Sequence, residues 1–440
     1  MKRNFLQPVF NKLILGICMF LAISFNSCQN VMEDVIGSGD NLELQELRSN
    51  EIIVGNVKSE IIGEFSFADL LTMKSHLQSA GIDVSGLLLP QADVSTKGII
   101  NDALLRAIKV TTKSPHPSDP SKQIDLSGVL LVPRIALTSL RLVVAPVPTF
   151  TANSEAPSNL FADQISLIEN GSLNYLYFWS LQAYQGFAIL LPDYPGFGDS
   201  YQQCFIPYVE QQPMIRASID LTKATQTAMT SRGYRYKSDL IITGYSQGGF
   251  VATSFARELD LNPAHGLSVN LLVSGGTPAD LNRVVNYVRE SEDFDTPYLV
   301  PYAACGYQSN GYPDMDFSNI FKEPYASNLY SPFDGTNTSL KDSFPTTVSD
   351  LFVPGFIQNG DPVVTRALNE NSIQPWANQC RIVMIHGGLD TTVAYDNAKG
   401  FADQQNAIGG NIEFHTVIGN HVTSIIQYYL YASTNLLLYK

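Results

Sequence analysis

The chain is short of positive charge, of cysteine and of histidine, and each shortage removes a class of function. Against 41 Asp and Glu it sets only 27 Lys and Arg, a formal net charge of −14. Nucleic-acid phosphates need a Lys/Arg surface and anionic lipid heads attract basic segments, so neither is an expected partner by charge. Five cysteines, with no CxxC and no Cys/His spacing, predict no metal site. Internal repeats and low-complexity blocks are also missing, which leaves no room for a repeat architecture such as a propeller. What is plentiful is apolar material. At 45% hydrophobic and 15% charged residues, the 440-residue chain can bury a large core, as one domain with an insertion or as two domains.

The N-terminus sets the compartment. Met1, Lys2, Arg3 and Lys12 precede an apolar run over residues 13–25, followed by Asn26 and Ser27. The run is too short and wrongly flanked for a membrane span and predicts a secretory signal over 1–27. A small residue directly before Cys28 resembles the bacterial lipobox, which implies lipidation of Cys28, with Phe25 and Asn26 departing from its strictest form. Gln29 after that cysteine resembles the sorting rule for the outer membrane. The expectation is an outer-membrane lipoprotein of the cell envelope, held by acyl chains at Cys28, or otherwise a secreted protein. With Cys18 in the signal, only Cys204, Cys305 and Cys380 remain, enough for one intramolecular disulfide at most.

Residues 28–56 are polar and acidic and predict a tether. Residues 57–102 predict a helical extension, whose clearest part is the amphipathic stretch from Phe65 to a stop at Gly81. From Ala103 the pattern changes. Two β-rich runs flank the turn "PHPSDPSKQ" and predict an antiparallel pair. Continuous apolar strands such as "RLVVAPVPTF", "GFAILLP", "DLIITGYS", "SVNLLVSGG" and "RIVMIHG" then alternate with helical stretches. That alternation predicts an α/β fold, a mostly parallel sheet with helices on both faces, over 103–281 and 378–440. Residues 282–377 interrupt it with a stretch rich in Tyr, Phe, Pro, Asn and Asp, expected to form an inserted cap. Its aromatics could line a pocket or simply build the cap's own core.

The motif "GYSQGG" places Ser246 between Gly244 and Gly248, after a strand and before a helix. An exposed nucleophile needs that sharp turn, in which glycines permit close backbone packing. A serine hydroxyl also needs a base. Of six histidines, His76 and His116 lie outside the alternating region or in a turn, and His265 lies in a loop. His386 in "HGG" shapes the turn carrying the next acid, and His415 falls within a strand. His421 follows a strand's carboxyl end, where ligands gather in such sheets. The base in turn needs a carboxylate. Asp390 in "HGGLDTTV" is favoured, Asp280 competes, and Asp193 in "PDYPGFGD" reads as structural or pocket-edge. The backbone N–H of Gln247 is one expected oxyanion donor. The second is expected between Thr149 and Thr151, from Phe150 or Thr151, although the His-Gly common at that point is replaced by "PTFTAN".

Together "GYSQGG", "HGGLDTTV" and "GNHV" resemble the α/β-hydrolase superfamily. "LLPDYPGFGDS" followed by a helix and "GYSQGG" is similar to the secretory lipase (lipase A-like) group. The resemblance covers Ala103 to the C-terminus apart from most of the cap. It implies a serine ester hydrolase with Ser246 as nucleophile, Asp390 as acid and His421 as base, acting on a small-molecule or lipid ester without metal or organic cofactor. The alternatives are a peptidase of the same fold and a non-catalytic envelope binding protein.

Overall fold

The computed structural model describes residues 50–82, 84, 103–169 and 174–440. The expected signal, Cys28 and most of the tether lie outside the described residues. Ten strands form one sheet: β1 (Glu51–Val54), β2 (Val57–Ser66), β3 (Ala103–Pro115), β4 (Gln123–Pro133), β5 (Arg141–Val144), β6 (Phe187–Pro192), β7 (Asp239–Tyr245), β8 (Ser268–Gly275), β9 (Arg381–Gly387) and β10 (Ile412–Val417). The helices before the cap are α1 (Phe67–Ser79), α2 (Pro157–Ala162), α3 (Gln164–Glu169), α4 (Asn174–Tyr184), α5 (Gln211–Ser231) and α6 (Gln247–Leu261). The cap carries α7 (Leu281–Glu290), α8 (Leu299–Asn310), α9 (Val348–Leu351), α10 (Pro354–Asn359) and α11 (Pro362–Asn371). After it come α12 (Tyr395–Ala407) and α13 (Ile425–Leu437).

The strand order is β1-β2-β3-β4-β6-β5-β7-β8-β9-β10. From β1 to the β4–β6 pair the sheet is antiparallel, and from β6 to β10 it is parallel. The parallel strands are apolar runs because helices cover both faces; β6 is buried along its whole length. After β5 the chain moves to one side to make β6 and then to the other to make β7, so a switch point opens at the carboxyl ends of β5 and β7. Crevices for ligands form at such points.

Two differences from the sequence-based expectation have physical causes. Residues 57–66, expected to begin a helical extension, are strand β2, with Val57, Ser59, Gly63 and Phe65 buried along it; β1 likewise occupies the end of the expected tether. The helix that follows is capped at Ser66, whose hydroxyl accepts the Asp69 N–H while the Asp69 carboxylate accepts the Ser66 N–H. Strand β5 stops at Val144, well short of the apolar run, because Pro146 and Pro148 have no N–H for a ladder. Cys204, Cys305 and Cys380 are all unpaired, which lies within the limit of one disulfide at most.

The cap residues form no strand of the main sheet among those described, only isolated bridges at Asp293–Thr347 and Phe321–Phe352. Most of the cap aromatics build its own core: Tyr302 stacks on Phe333, Phe333 on Phe344, and Phe321 packs on Phe352. Polar contacts tie the cap to the start of α5. Gln211 donates through its backbone and side chain to Asn371 at 2.9 and 2.7 Å. Asn310 Nδ2 donates to Glu210 at 3.0 Å, and burial pushes that carboxyl up to about 8.

Candidate active site

Ser246 sits between the last residue of β7 and the first of α6. Its backbone angles are φ 58° and ψ −122°, a left-handed conformation that costs an L-residue of order 1–3 kcal/mol. The surroundings enforce it. Ser246 N–H donates to Gly275 O at 2.8 Å, and its carbonyl accepts from Phe250 N–H. Phe250 and Phe255 of α6 are fully buried, each anchoring the helix by about 2–3 kcal/mol of transfer energy.

The flanking glycines have measurable reasons. A Cβ on Gly244 would lie 2.1 Å from Gly248 O, and one on Gly248 would lie 2.2 Å from Pro146 O. The first contact lets the helix start directly on the strand end. The second brings the loop after β5 against the first turn of α6, a contact between the Ser246 turn and the neighbouring loop rather than between helix and strand.

The three residues singled out from sequence converge. His421 Nε2 lies 2.8 Å from Ser246 Oγ, and His421 Nδ1 lies 2.7 Å from Asp390 Oδ2. A carboxylate only accepts, so Nδ1 carries the proton and Nε2 is left to accept from the serine hydroxyl. The Asp390 side chain is fully buried, and its other oxygen accepts the N–H groups of Thr392 and Val393 at 3.0 and 2.9 Å. The loop of His421 is held by Asn420, whose side-chain oxygen accepts the N–H groups of Val422 and Thr423. Tyr245, inside the "GYSQGG" motif, donates its hydroxyl to His421 O at 2.5 Å and stands 2.9 Å from Ser424 Oγ. Its role was not foreseen; the signal is the tyrosine next to the serine.

The competing residues have other partners. Asp280 caps α7, accepting from Asn282 and Arg283 N–H. Asp193 is buried, accepting from Ser127 Oγ and, at 2.8 Å, from Ser158 N–H, and burial raises its carboxyl above the ordinary range. His265 pairs with Glu258 and His415 with Glu413, each at 2.8 Å. His386 is fully buried beside Asp390.

Gln247 opens α6 and lines the same cavity as Ser246, with its N–H in the first helical turn, where backbone donors lack intrahelical partners. Thr151 does not fit the expected oxyanion role. Its N–H is committed to Glu155 Oε2 at 3.1 Å and its hydroxyl to Asn337 O at 2.8 Å. Glu155, four residues on, takes that donor away. In the same loop Thr149 Oγ1 lies 3.1 Å from the hydroxyl of Tyr208, which lines the cavity.

The cavity holds about 760 Å³ of atom-free space, its open mouth included. The core supplies Ser246, Gln247, Tyr208, Val209, Pro278, Thr392 and Val393. The cap supplies an aliphatic wall, among it Val284, Val285, Val300, Ala303 and Leu368, with Tyr307 and Phe356 as its only aromatics. Sites of this kind hold an apolar group and fix it by a few polar atoms.

A mostly parallel sheet with helices on both sides, a strand–serine–helix turn at the switch point and an inserted cap define the α/β-hydrolase fold. The chain belongs to the secretory lipase family, whose model matches residues 176–429. Solved structures share the fold at low identity. The rice cell wall degrading esterase LipA from Xanthomonas oryzae is 18% identical with a TM-score of 0.68, over 86% of this chain and 96% of that one. A Legionella pneumophila chain solved as a candidate hydrolase gives 18% and 0.71 over 86% and 95%. Candida antarctica lipase A in its closed state gives 17% and 0.56 over 72% and 73%. Among curated proteins no sequence matches the chain.

Proposed function

We propose that the protein is a serine ester hydrolase working through Ser246, His421 and Asp390. The observation that carries this is the hydrogen-bonded chain from Ser246 Oγ through both nitrogens of His421 to Asp390 Oδ2, opening onto an aliphatic cavity. Ser246 Oγ attacks the ester carbonyl while His421 Nε2 takes its proton; the imidazolium is stabilised by Asp390. The same proton passes to the departing alkoxide, leaving an acyl group on Ser246. Water then attacks that acyl carbon, its proton going to His421 and on to Ser246 Oγ as the acid leaves.

The Gln247 N–H stabilises the oxyanion, with a second donor from Thr149 or Phe150 now that Thr151 is committed elsewhere. The aliphatic cap wall takes the acyl or another apolar part of the ester. Lipidation of Cys28 and an outer-membrane address complete the proposal, and loss of palmitate incorporation in Cys28→Ala tests them.

The test of the chemistry is a fluorophosphonate probe on wild type and Ser246→Ala, followed by nitrophenyl esters of increasing chain length. Labelling of wild type alone, with ester turnover, is expected. An unlabelled wild type would remove the serine-hydrolase reading, and activity confined to amides would move it to a peptidase.

A further inference from the structure

We propose that His386 is a positioning residue for Asp390, a second imidazole that holds the acid turn from behind while His421 binds it from the front. The inference rests on the assignment of Asp390 and His421 above. His386 is the penultimate residue of β9, and the turn it precedes carries Asp390 four residues later. Its Nε2 lies 2.8 Å from Val393 O and 3.3 Å from Asp390 Oδ2, the oxygen that faces His421. Both neighbours only accept, so Nε2 carries the proton. The hydrogen bond goes to Val393, and the positive end of the same N–H faces the carboxylate.

His386 Nδ1 is buried and has no hydrogen-bond partner among the described residues, which suits a bare lone pair and not a second N–H. Burial also lowers the affinity of this ring for a second proton. The imidazole is therefore neutral and acts as a fixed dipole. The titratable groups around it are Asp390, His421, and Tyr395, whose ring stands edge-on at 6.2 Å; Tyr245 packs on the far side of His421. Val393 is thus gripped twice, its N–H by Asp390 Oδ1 and its carbonyl by His386. This closes the turn around the acid and fixes which oxygen His421 meets.

The arrangement separates positioning from bare packing. An apolar side chain of similar size at 386 keeps the core filled but removes the dipole. The Asp390 charge is then less compensated, the His421 imidazolium gains relative stability, and the base is idle to a higher pH. His386→Gln places an amide N–H where Nε2 stands and supplies the donor again.

The experiment measures kcat/KM for a nitrophenyl ester against pH in wild type, His386→Met and His386→Gln, with thermal unfolding of each. In His386→Met the acid limb is expected to move up by about half to one pH unit, a three- to tenfold loss at a fixed pH on that limb, with His386→Gln restored toward wild type. The low-field proton resonance of the His421 Nδ1–H is expected to shift in His386→Met and to return in His386→Gln, independently of turnover. Equal acid limbs and an unmoved resonance in a folded His386→Met would overturn the proposal, as would equal losses in both variants. A wild type with neither probe labelling nor ester turnover points instead to failure of the assignment of Asp390 and His421.

Discussion

The two walls of the cavity are built on opposite plans. The sheet side is fixed in place: Ser246 is held by Gly275 and Phe250, His421 by Asp390, Ser246 and Tyr245, and Asp390 by two backbone amides. The cap side presents aliphatic surface, and its ties to the body lie behind that surface, among them Gln211 and Glu210 at the start of α5 and Thr151 on Asn337. Directional bonds need particular atoms at particular distances, whereas apolar contact needs only shape and volume. On the proposed function, reaction and preference are thus separable, the first resting on the turns after β7 and β9 and the loops after β5 and β10, the second on aliphatic cap residues such as Val284, Ala303 and Leu368, whose side chains make no hydrogen bond.

Changes on the sheet side should be the most severe. Asp390→Asn keeps the shape but offers the wrong groups to His421, and kcat is expected to fall about 10⁴-fold in steady-state assays with little change in folding. Gly248→Ala puts a methyl group 2.2 Å from Pro146 O, so the loop after β5 has to move. A displacement near 1 Å at a catalytic centre costs about 10²-fold, read as a fall in kcat for esters of every chain length alike.

On the cap side, Ala303→Phe narrows the half-buried α8 wall. It is expected to cut kcat/KM for long-chain esters about tenfold or more relative to an acetate ester. Equal losses on both would break the division between the walls.

The smallest effect concerns the join between them. Glu210 is raised to about 8 by burial, against an ordinary value near 4.5. The folded protein therefore holds a proton that the unfolded chain releases, and stability falls as pH rises from about 4.5 to 8, by at most about 1.4 kcal/mol per unit. Thermal melts across that range should lose this component in Glu210→Gln.

How much of this was legible in the sequence follows the same division. Ser246, Asp390 and His421 each come just after an apolar β-rich run, so local pattern and chain order sufficed to bring them together. Of the two residues named for the second oxyanion donor, Phe150 and Thr151, the sequence could not set Thr151 aside, because the fate of its N–H depends on Glu155, a side chain whose reach no motif encodes. Strand β2 was missed because Ile61 and Ile62 interrupt its alternation, where the pairing with β3 shifts register between Ile61 and Gly63. Residues 282–377 were recognised as an inserted cap, but which of its aromatics build its own core and which reach the cavity needed the coordinates, because its short helices carry no period to read. His386 was assigned to shaping the turn, and its contact with Val393 is of that kind, but its closeness to Asp390 needed the coordinates.

The placement of His421 has a consequence for how the protein wears out. His421 follows β10, the last strand of the sheet, which pairs on one side only and buries little beyond Ile412. Edge segments with few buried contacts open at lower free energy than the centre of a sheet. On warming, amide exchange should therefore appear around β10 before β7, and heat inactivation should run ahead of global melting while Ser246 still stands in its strained turn.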